Sequence, residues 1–231
     1  MTTRTRFTVD DRTAWITLDD GKVNVMSYEM LDEIGVRLDE ARDQLVTVLA
    51  GRPGIFSAGF DLKTFQRDAD ESRRMVDAGV RLIEKMLAHP RPIIAACTGH
   101  AYPMGAFLML SADVRYGVAG NWNVGMNEVA IGLTVPLFAL ELARHRLTAC
   151  GYARITSGAL FGPDEARAAG YLDYVVEPAH LLATVGEAAR RLYALDPASY
   201  VATKARINGP LIRAIGEAWE AEGARTWGRA A

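Results

Sequence analysis

The chain has 231 residues, half of them apolar, enough to bury a full core as one domain with at most a small appendage. A formal charge of −2 and the lack of any basic run argue against a nucleic-acid-binding surface, and no run approaches the ~18 apolar residues that span a bilayer. Cys97 and Cys150, both in apolar surroundings, read as buried thiols of a soluble, cytoplasmic protein, and Met1–Arg6 lacks the apolar segment of a secretory signal behind its charges.

Thr13–Leu18 alternates and is rich in strand formers, which predicts a strand ending at Asp19-Asp20-Gly21. Ser27 is placed to cap a helix whose inner face is Leu31, Ile34, Leu38, Ala41 and Leu45. Val46–Ala50 reads as a buried strand, closed by Gly51-Arg52-Pro53-Gly54. Thr64–Arg74 is charged and without period, so a mobile surface segment is expected there. Met75, Gly79, Leu82, Ile83 and Met86 then mark a core-facing helix that His89-Pro90 stops. Pro92–Cys97 reads as a buried strand. After the turn at Gly99 and Pro103, Met104–Ala112 is apolar on every face, the pattern of a helix buried all round.

Val114–Ala119 predicts a further strand, and Pro136–Arg146 and Ala149–Ser157 predict helices. Gly162–Ala166 opens a short helix that Gly170 ends, ahead of a strand at Leu172–Val176. From Pro178 the pattern is helical, with breaks near Pro197 and at Asn208-Gly209-Pro210, and Trp219 and Trp227 read as packing residues. Strands arriving in pairs between helices give an α/β domain, divided here into a core over 1–190 and a helical region over 191–231.

Three separated segments carry candidate chemistry. In Ser57-Ala58-Gly59-Phe60-Asp61-Leu62, small residues allow close backbone approach, Gly59 permits unusual dihedrals and Asp61 can cap the next turn. Such a loop can aim main-chain N–H groups at a ligand oxygen, although many strand-to-helix turns look alike. The second segment is the mouth of the buried helix, where the Met104 N–H opens from a glycine-containing loop and favours negative charge. The third is Gly125–Gly132, where Glu128 is a lone carboxylate in an apolar stretch, either a helix cap or solvent-facing side chain, or a working group. His89, His100, His145 and His180 have no metal-ligand spacing, so no metal site is expected.

Together with Phe161-Gly162-Pro163-Asp164-Glu165-Ala166 and Gly170–Asp173, these motifs resemble the crotonase (enoyl-CoA hydratase/isomerase) superfamily from about Phe7 to about Ile207. The resemblance implies a spiral of ββα units with a C-terminal helical region for trimerisation, and a homotrimer or a hexamer of paired trimers. It also implies an acyl-CoA thioester as substrate, in the setting of fatty-acid metabolism, with coenzyme A entering as part of that substrate and no separate cofactor. By motif position, the N–H groups of Phe60 and Met104 would hold the thioester oxygen as it becomes an enolate. Lys22, Val23 and Val25, with Ala58, Gly59, Phe60, Asp61 and Leu62, would approach the adenine and pantetheine of CoA. Met104, Gly105, Phe107 and Asn127 would border the thioester and acyl part.

Hydratases of this family use two glutamates sharing one water. Glu128 retains one, and Phe107 stands at the other, where a phenyl ring cannot move a proton. Moving a double bond needs only one base, and the spacing from Asn127 through Glu128 and Gly132 to Pro136 is that of the Δ3,Δ2-enoyl-CoA isomerase branch. The expected activity is therefore isomerisation of 3-enoyl-CoA. A hydratase helped by His100 or Tyr102, and a non-catalytic acyl-CoA-binding protein, are the alternatives. Met104 replaces a usual glycine and Phe60 a usual alanine or leucine, so a narrowed acyl pocket is expected.

Overall fold

In a computed structural model, the described residues are 3–42 and 45–222. The chain opens with a hairpin, β1 (Thr5–Asp10) and β2 (Thr13–Leu18), whose two-residue turn has Asp11 and Arg12 at φ 40° and 65°. Positive φ at both positions matches the right-handed twist of the flanking strands. A short strand β3 (Val25–Met26) leads into helix α1 (Tyr28–Ala41), which Ser27 caps by accepting the Met30 N–H. Its buried face is Met30, Leu31, Ile34, Leu38 and Ala41, as the periodicity requires; Leu45 lies past the helix end.

Strand β4 (Val46–Ala50) pairs in parallel with β2 and is buried throughout. It is followed by β5 (Gly54–Ser57), β6 (Gly59–Phe60), helix α2 (Leu62–Arg67) and helix α3 (Ala69–Ala88). Thr64–Arg74 is thus helical rather than irregular. Asp61 caps α2 through Lys63 N–H, and Asp68 caps α3 through Glu71 N–H at 2.7 Å, with Asp70 and Glu71 in the first turn of α3.

The pattern repeats with β7 (Ile93–Cys97), β8 (Gly99–Ala101) and helix α4 (Pro103–Ser111), and then with β9 (Val114–Val118). Helix α5 (Leu137–Arg146), α6 (Ala149–Ala153), α7 (Pro163–Ala169), β10 (Tyr174–Val176), α8 (Leu181–Tyr193) and α9 (Pro197–Glu222) complete the described chain. The main sheet runs β1-β2-β4-β7-β9-β10, parallel after the hairpin. β4 and β7 are buried along their whole length, hence their continuous apolar sequence. A second layer holds the short parallel pairs β3-β6 and β5-β8, extended by bridges from Ala101 to Val124 and from Val124 to Phe161. Each turn of the chain therefore places one strand in the main sheet, a short one in the second layer and then a helix.

Other expectations are corrected. Residues 154–157 tighten into a 3₁₀ turn after α6, and the last strand starts at Tyr174 rather than Leu172. Cys97 is buried and burial pushes its thiol up to about 12, but Cys150 is exposed, in the first turn of α6 beyond the Thr148 cap. Helix α9 runs unbroken from Pro197 through Pro210, because packing outweighs the lost N–H: Leu211 and Ile215 are buried, Asn208 Nδ2 donates to Leu87 O at 2.9 Å, and Lys204 Nζ lies 2.8 Å from Asp113 Oδ2. Trp219 packs edge-on to Phe138 and donates to Asp77; Trp227 lies outside the described residues. No helix of the described residues is long and apolar enough to cross a membrane.

Candidate active site

The site is built around the first turn of α4. Every residue from Met104 to Ser111 is buried, so this helix has no solvent face on which to shift. Pro103 sits in the first turn, and Gly105 and Ala106 donate to Tyr102 O, leaving Met104 N–H ahead of the first amides the turn satisfies. Against this mouth lies the turn between β5 and β6. Gly59 has φ +88°, a conformation open to glycine at little cost, and a side chain there would lie 3.5 Å from Pro103 N.

Ser57 joins the two segments. Its hydroxyl donates to Asn24 O at 2.7 Å and accepts Gly59 N–H at 3.0 Å, while its carbonyl accepts Tyr102 N–H at 2.9 Å. A Cβ at Gly105 would meet Ser57 Cβ at 2.8 Å, so α4 can approach this closely only with glycine there. The loop and the helix mouth, and with them Phe60 and Met104, are thus held side by side.

The Phe60 ring packs edge-on to Phe65 at 6.1 Å and touches Gly79, where the Met104 methyl also arrives. Both bulky side chains thus turn towards α3. Phe107 is 1 % exposed and edge-on to Phe138, so the position that could have carried a second carboxylate is an apolar contact within the core.

The loop that leads into β3, the strand paired with β6, is equally fixed. Asp20 accepts backbone N–H groups of Lys22, Asn24 and Val25 at 2.7–2.9 Å. Burial alone would raise its pKa, but these bonds and Arg52 hold it below the ordinary carboxylate value. Asn24, fully buried at φ 53°, donates to Leu18 O and Phe56 O. Ala58 N–H donates to Val23 O, so Lys22–Val25 and Ala58–Leu62 form one continuous rim. On it Lys22, Val23, Leu62 and Lys63 are exposed.

Glu128 arrives from the loop after β9. That loop is stitched to β8 by Ala101 N–H to Asn123 O and Gly125 N–H to Ala101 O, two residues ahead of α4. Glu128 is 5 % exposed, and neither carboxylate oxygen has a hydrogen-bond partner among the described residues. Burial raises its pKa from 4.5 to about 7 against the one opposing influence, its own backbone N–H. Behind it, Tyr171 is fully buried; burial first, and the Glu128 charge second, push its phenol up. Asn127, half-buried, accepts Ala130 N–H on its carbonyl.

The first two candidate segments thus meet directly, at Ser57 with Tyr102 and Gly59 with Pro103, and the third is tied to β8 through the bonds of Asn123 and Gly125 to Ala101. His100 and Tyr102 pair with each other at 3.0 Å, and the same His100 nitrogen accepts Asn123 N–H, so both help to fix the loop ahead of Glu128. Among the described residues no three His, Cys, Asp or Glu side chains cluster as metal ligands. A groove of about 450 Å³ opens between α1 and α3, but Phe60, Met104 and Glu128 do not line it. Sequence reasoning missed the Ser57 bridge, the Asp20–Asn24 clamp and the contact at Gly79; the first two were signalled by short polar residues flanking glycine turns.

The family model described as "Enoyl-CoA hydratase/isomerase" matches residues 9–224. A probable enoyl-CoA hydratase of Mycobacterium tuberculosis is 32% identical over 208 residues, 84% of this chain and 76% of that protein. A probable enoyl-CoA hydratase of Bacillus subtilis is 30% identical over 157 residues, 65% of this chain and 60% of that protein's length. Among solved structures, a Mycobacterium tuberculosis enoyl-CoA isomerase superposes with a TM-score of 0.92 at 35% identity, over 97% of this chain and all of that one.

Proposed function

The chain belongs to the enoyl-CoA hydratase/isomerase family and carries its spiral crotonase fold; on that premise we propose that it isomerises 3-enoyl-CoA to 2-enoyl-CoA. In this reading Glu128, as carboxylate, takes a proton from C2 of the bound thioester. The electron pair moves into the carbonyl, giving a dienolate whose oxygen rests on Phe60 N–H and Met104 N–H. The Glu128 carboxylic acid then returns the proton to C4, and the double bond lies between C2 and C3. Two fixed backbone donors stabilise charge that is absent in the ground state, each worth roughly 10²–10³ in rate.

The observation that carries this reading is the Glu128 carboxylate, buried with no hydrogen-bond partner among the described residues and with its pKa moved to about 7, where a single group can both take and return a proton near neutral pH. Phe107 supports it, since a buried ring in contact with Phe138 can neither activate nor orient a water. Lys22, Val23 and Val25, together with Ala58–Leu62, would receive the CoA part along their shared rim, so that CoA is substrate and no further cofactor is needed. Gly105, Phe107 and Asn127 would border the thioester. Assembly as a trimer or hexamer through the C-terminal helical region belongs to the same proposal.

Hydration of 2-enoyl-CoA is the second reading, favoured by the hydratase names of the curated relatives. Incubation with 3-hexenoyl-CoA and with 2-hexenoyl-CoA, beside Glu128→Gln, separates the two. Conversion of the first without change of mass, lost in the variant, is expected. Addition of water to the second would replace isomerisation by hydration, and binding of both without turnover would leave an acyl-CoA-binding protein.

A further inference from the structure

We propose that Gly79 of α3 is a positioning residue for the two oxyanion donors, an inference that rests on the assignment of Phe60 N–H and Met104 N–H to that role. An ideal Cβ at position 79 would stand 2.8 Å from Phe60 Cζ, 3.0 Å from Phe60 Cε1 and 3.3 Å from Met104 Cε. The side chains of both donor residues, which lie 44 positions apart in sequence, therefore end on one helix position that has no side chain of its own.

Gly79 is inside a regular helix of 20 residues, where alanine is intrinsically favoured over glycine. Local helix preference therefore does not call for glycine; the space it leaves for the two side chains does. The two neighbours are held differently, the Met104 methyl being the end of a flexible side chain and the half-buried Phe60 ring being the stiffer of the two. Met104 is fully buried in the enclosed helix α4, while the Phe60 ring has Phe65 packed edge-on against it and its backbone is paired with Met26 across β3 and β6. A methyl group at position 79 presses on both, and the displacement passes to β6 and to the first turn of α4, the two places that carry the donors.

Gly79→Ala tests this without turnover. The probes are acetoacetyl-CoA, whose enolate is recognised by its near-ultraviolet absorbance, and butyryl-CoA, which forms no stabilised enolate and is followed by titration calorimetry. Displacing the donors by a few tenths of an ångström is expected to weaken the enolate about tenfold and to leave butyryl-CoA within about twofold. In Gly79→Ala/Phe60→Leu, the smaller side chain gives the methyl room, and the double variant is expected to bind the enolate as tightly as Phe60→Leu alone. Unchanged enolate affinity in Gly79→Ala, equal loss of both ligands, or a double variant weaker than Phe60→Leu would each overturn the proposal. Failure of the wild-type protein to bind the enolate would also overturn it. A protein that shows the expected coupling but does not isomerise 3-hexenoyl-CoA overturns the isomerase reading and leaves this one standing.

Discussion

Glu128→Gln should abolish proton transfer and at the same time stabilise the fold. The carboxyl is 5 % exposed and without a hydrogen-bond partner among the described residues, and burial moves its pKa to about 7 in the folded protein against 4.5 for the ordinary group. Between those values the native state holds a proton that the unfolded chain has released, so stability falls as pH rises from about 4.5 to 7 and is flat on either side. At 1.36 kcal/mol for each pKa unit, the ionised carboxylate costs roughly 3 kcal/mol at pH 8, of the order of a quarter to a half of a typical domain's stability. Glutamine keeps the shape and never ionises. Urea unfolding of both proteins between pH 4 and pH 8.5 gives the difference directly. The variant should gain on the wild type through this window, reach about 3 kcal/mol by pH 8, and melt roughly 6–10 °C higher there. Stability curves that stay parallel across the whole range would refute the argument, because the carboxylate would then be solvated or paired in the folded protein.

Other substitutions follow from named contacts. Asn24→Ala removes two buried donors and a side chain suited to φ 53°, and should cost about 2–4 kcal/mol by denaturant unfolding while raising KM for the CoA ester. Gly105→Ala drives a methyl to within 2.8 Å of Ser57 Cβ and should cost about 1–3 kcal/mol, measured as a shift of the unfolding midpoint. Asp113→Ala leaves Lys204 buried without its carboxylate and should cost about 3–5 kcal/mol, most of which Lys204→Met in the same chain restores. The turnover rate for 3-enoyl-CoA should rise with pH and level off above about 7 as Glu128 ionises; a profile flat from pH 5 to 8 would remove Glu128 from the role of base.

The parts of the fold that sequence made legible are those where one physical cause dominates. The 3.6-residue spacing of Leu31, Ile34, Leu38 and Ala41 placed α1, and its cap was visible in Ser27. The unbroken apolar run at Met104–Leu110 placed the enclosed helix α4. The misses arise where local and tertiary causes compete. β1 escaped notice because it is an edge strand largely open to solvent, with little apolar alternation to read. The start of α3 is set by a carboxylate cap at Asp68 and a Glu71 three residues on, a signal carried by charged residues in a segment that otherwise suggests a loop. Pro210 argued for a break that packing of Leu211 and Ile215 overrides. At the site, the Ser57–Leu62 loop and the mouth of α4 were both singled out from sequence, and Ser57 and Gly59 lie against Tyr102 and Pro103. The motifs did not reveal that Phe60 and Met104 turn their side chains onto Gly79, since that depends on how α3 lies across β6 and α4.

Ser57 fixes one more property of the site. Its hydroxyl spans Asn24 and Gly59 and its carbonyl holds Tyr102, so three stretches distant in sequence take their spacing from the bond lengths of one residue. The distance between the two amides proposed to hold the enolate oxygen is therefore gauged by covalent geometry rather than by the average position of two independent loops. Warming that frays the exposed helix α2 should leave this gauge untouched until β5 itself lets go. Heat should thus end the proposed enolate binding together with the fold, in one step, with no interval in which a folded protein has already lost its grip.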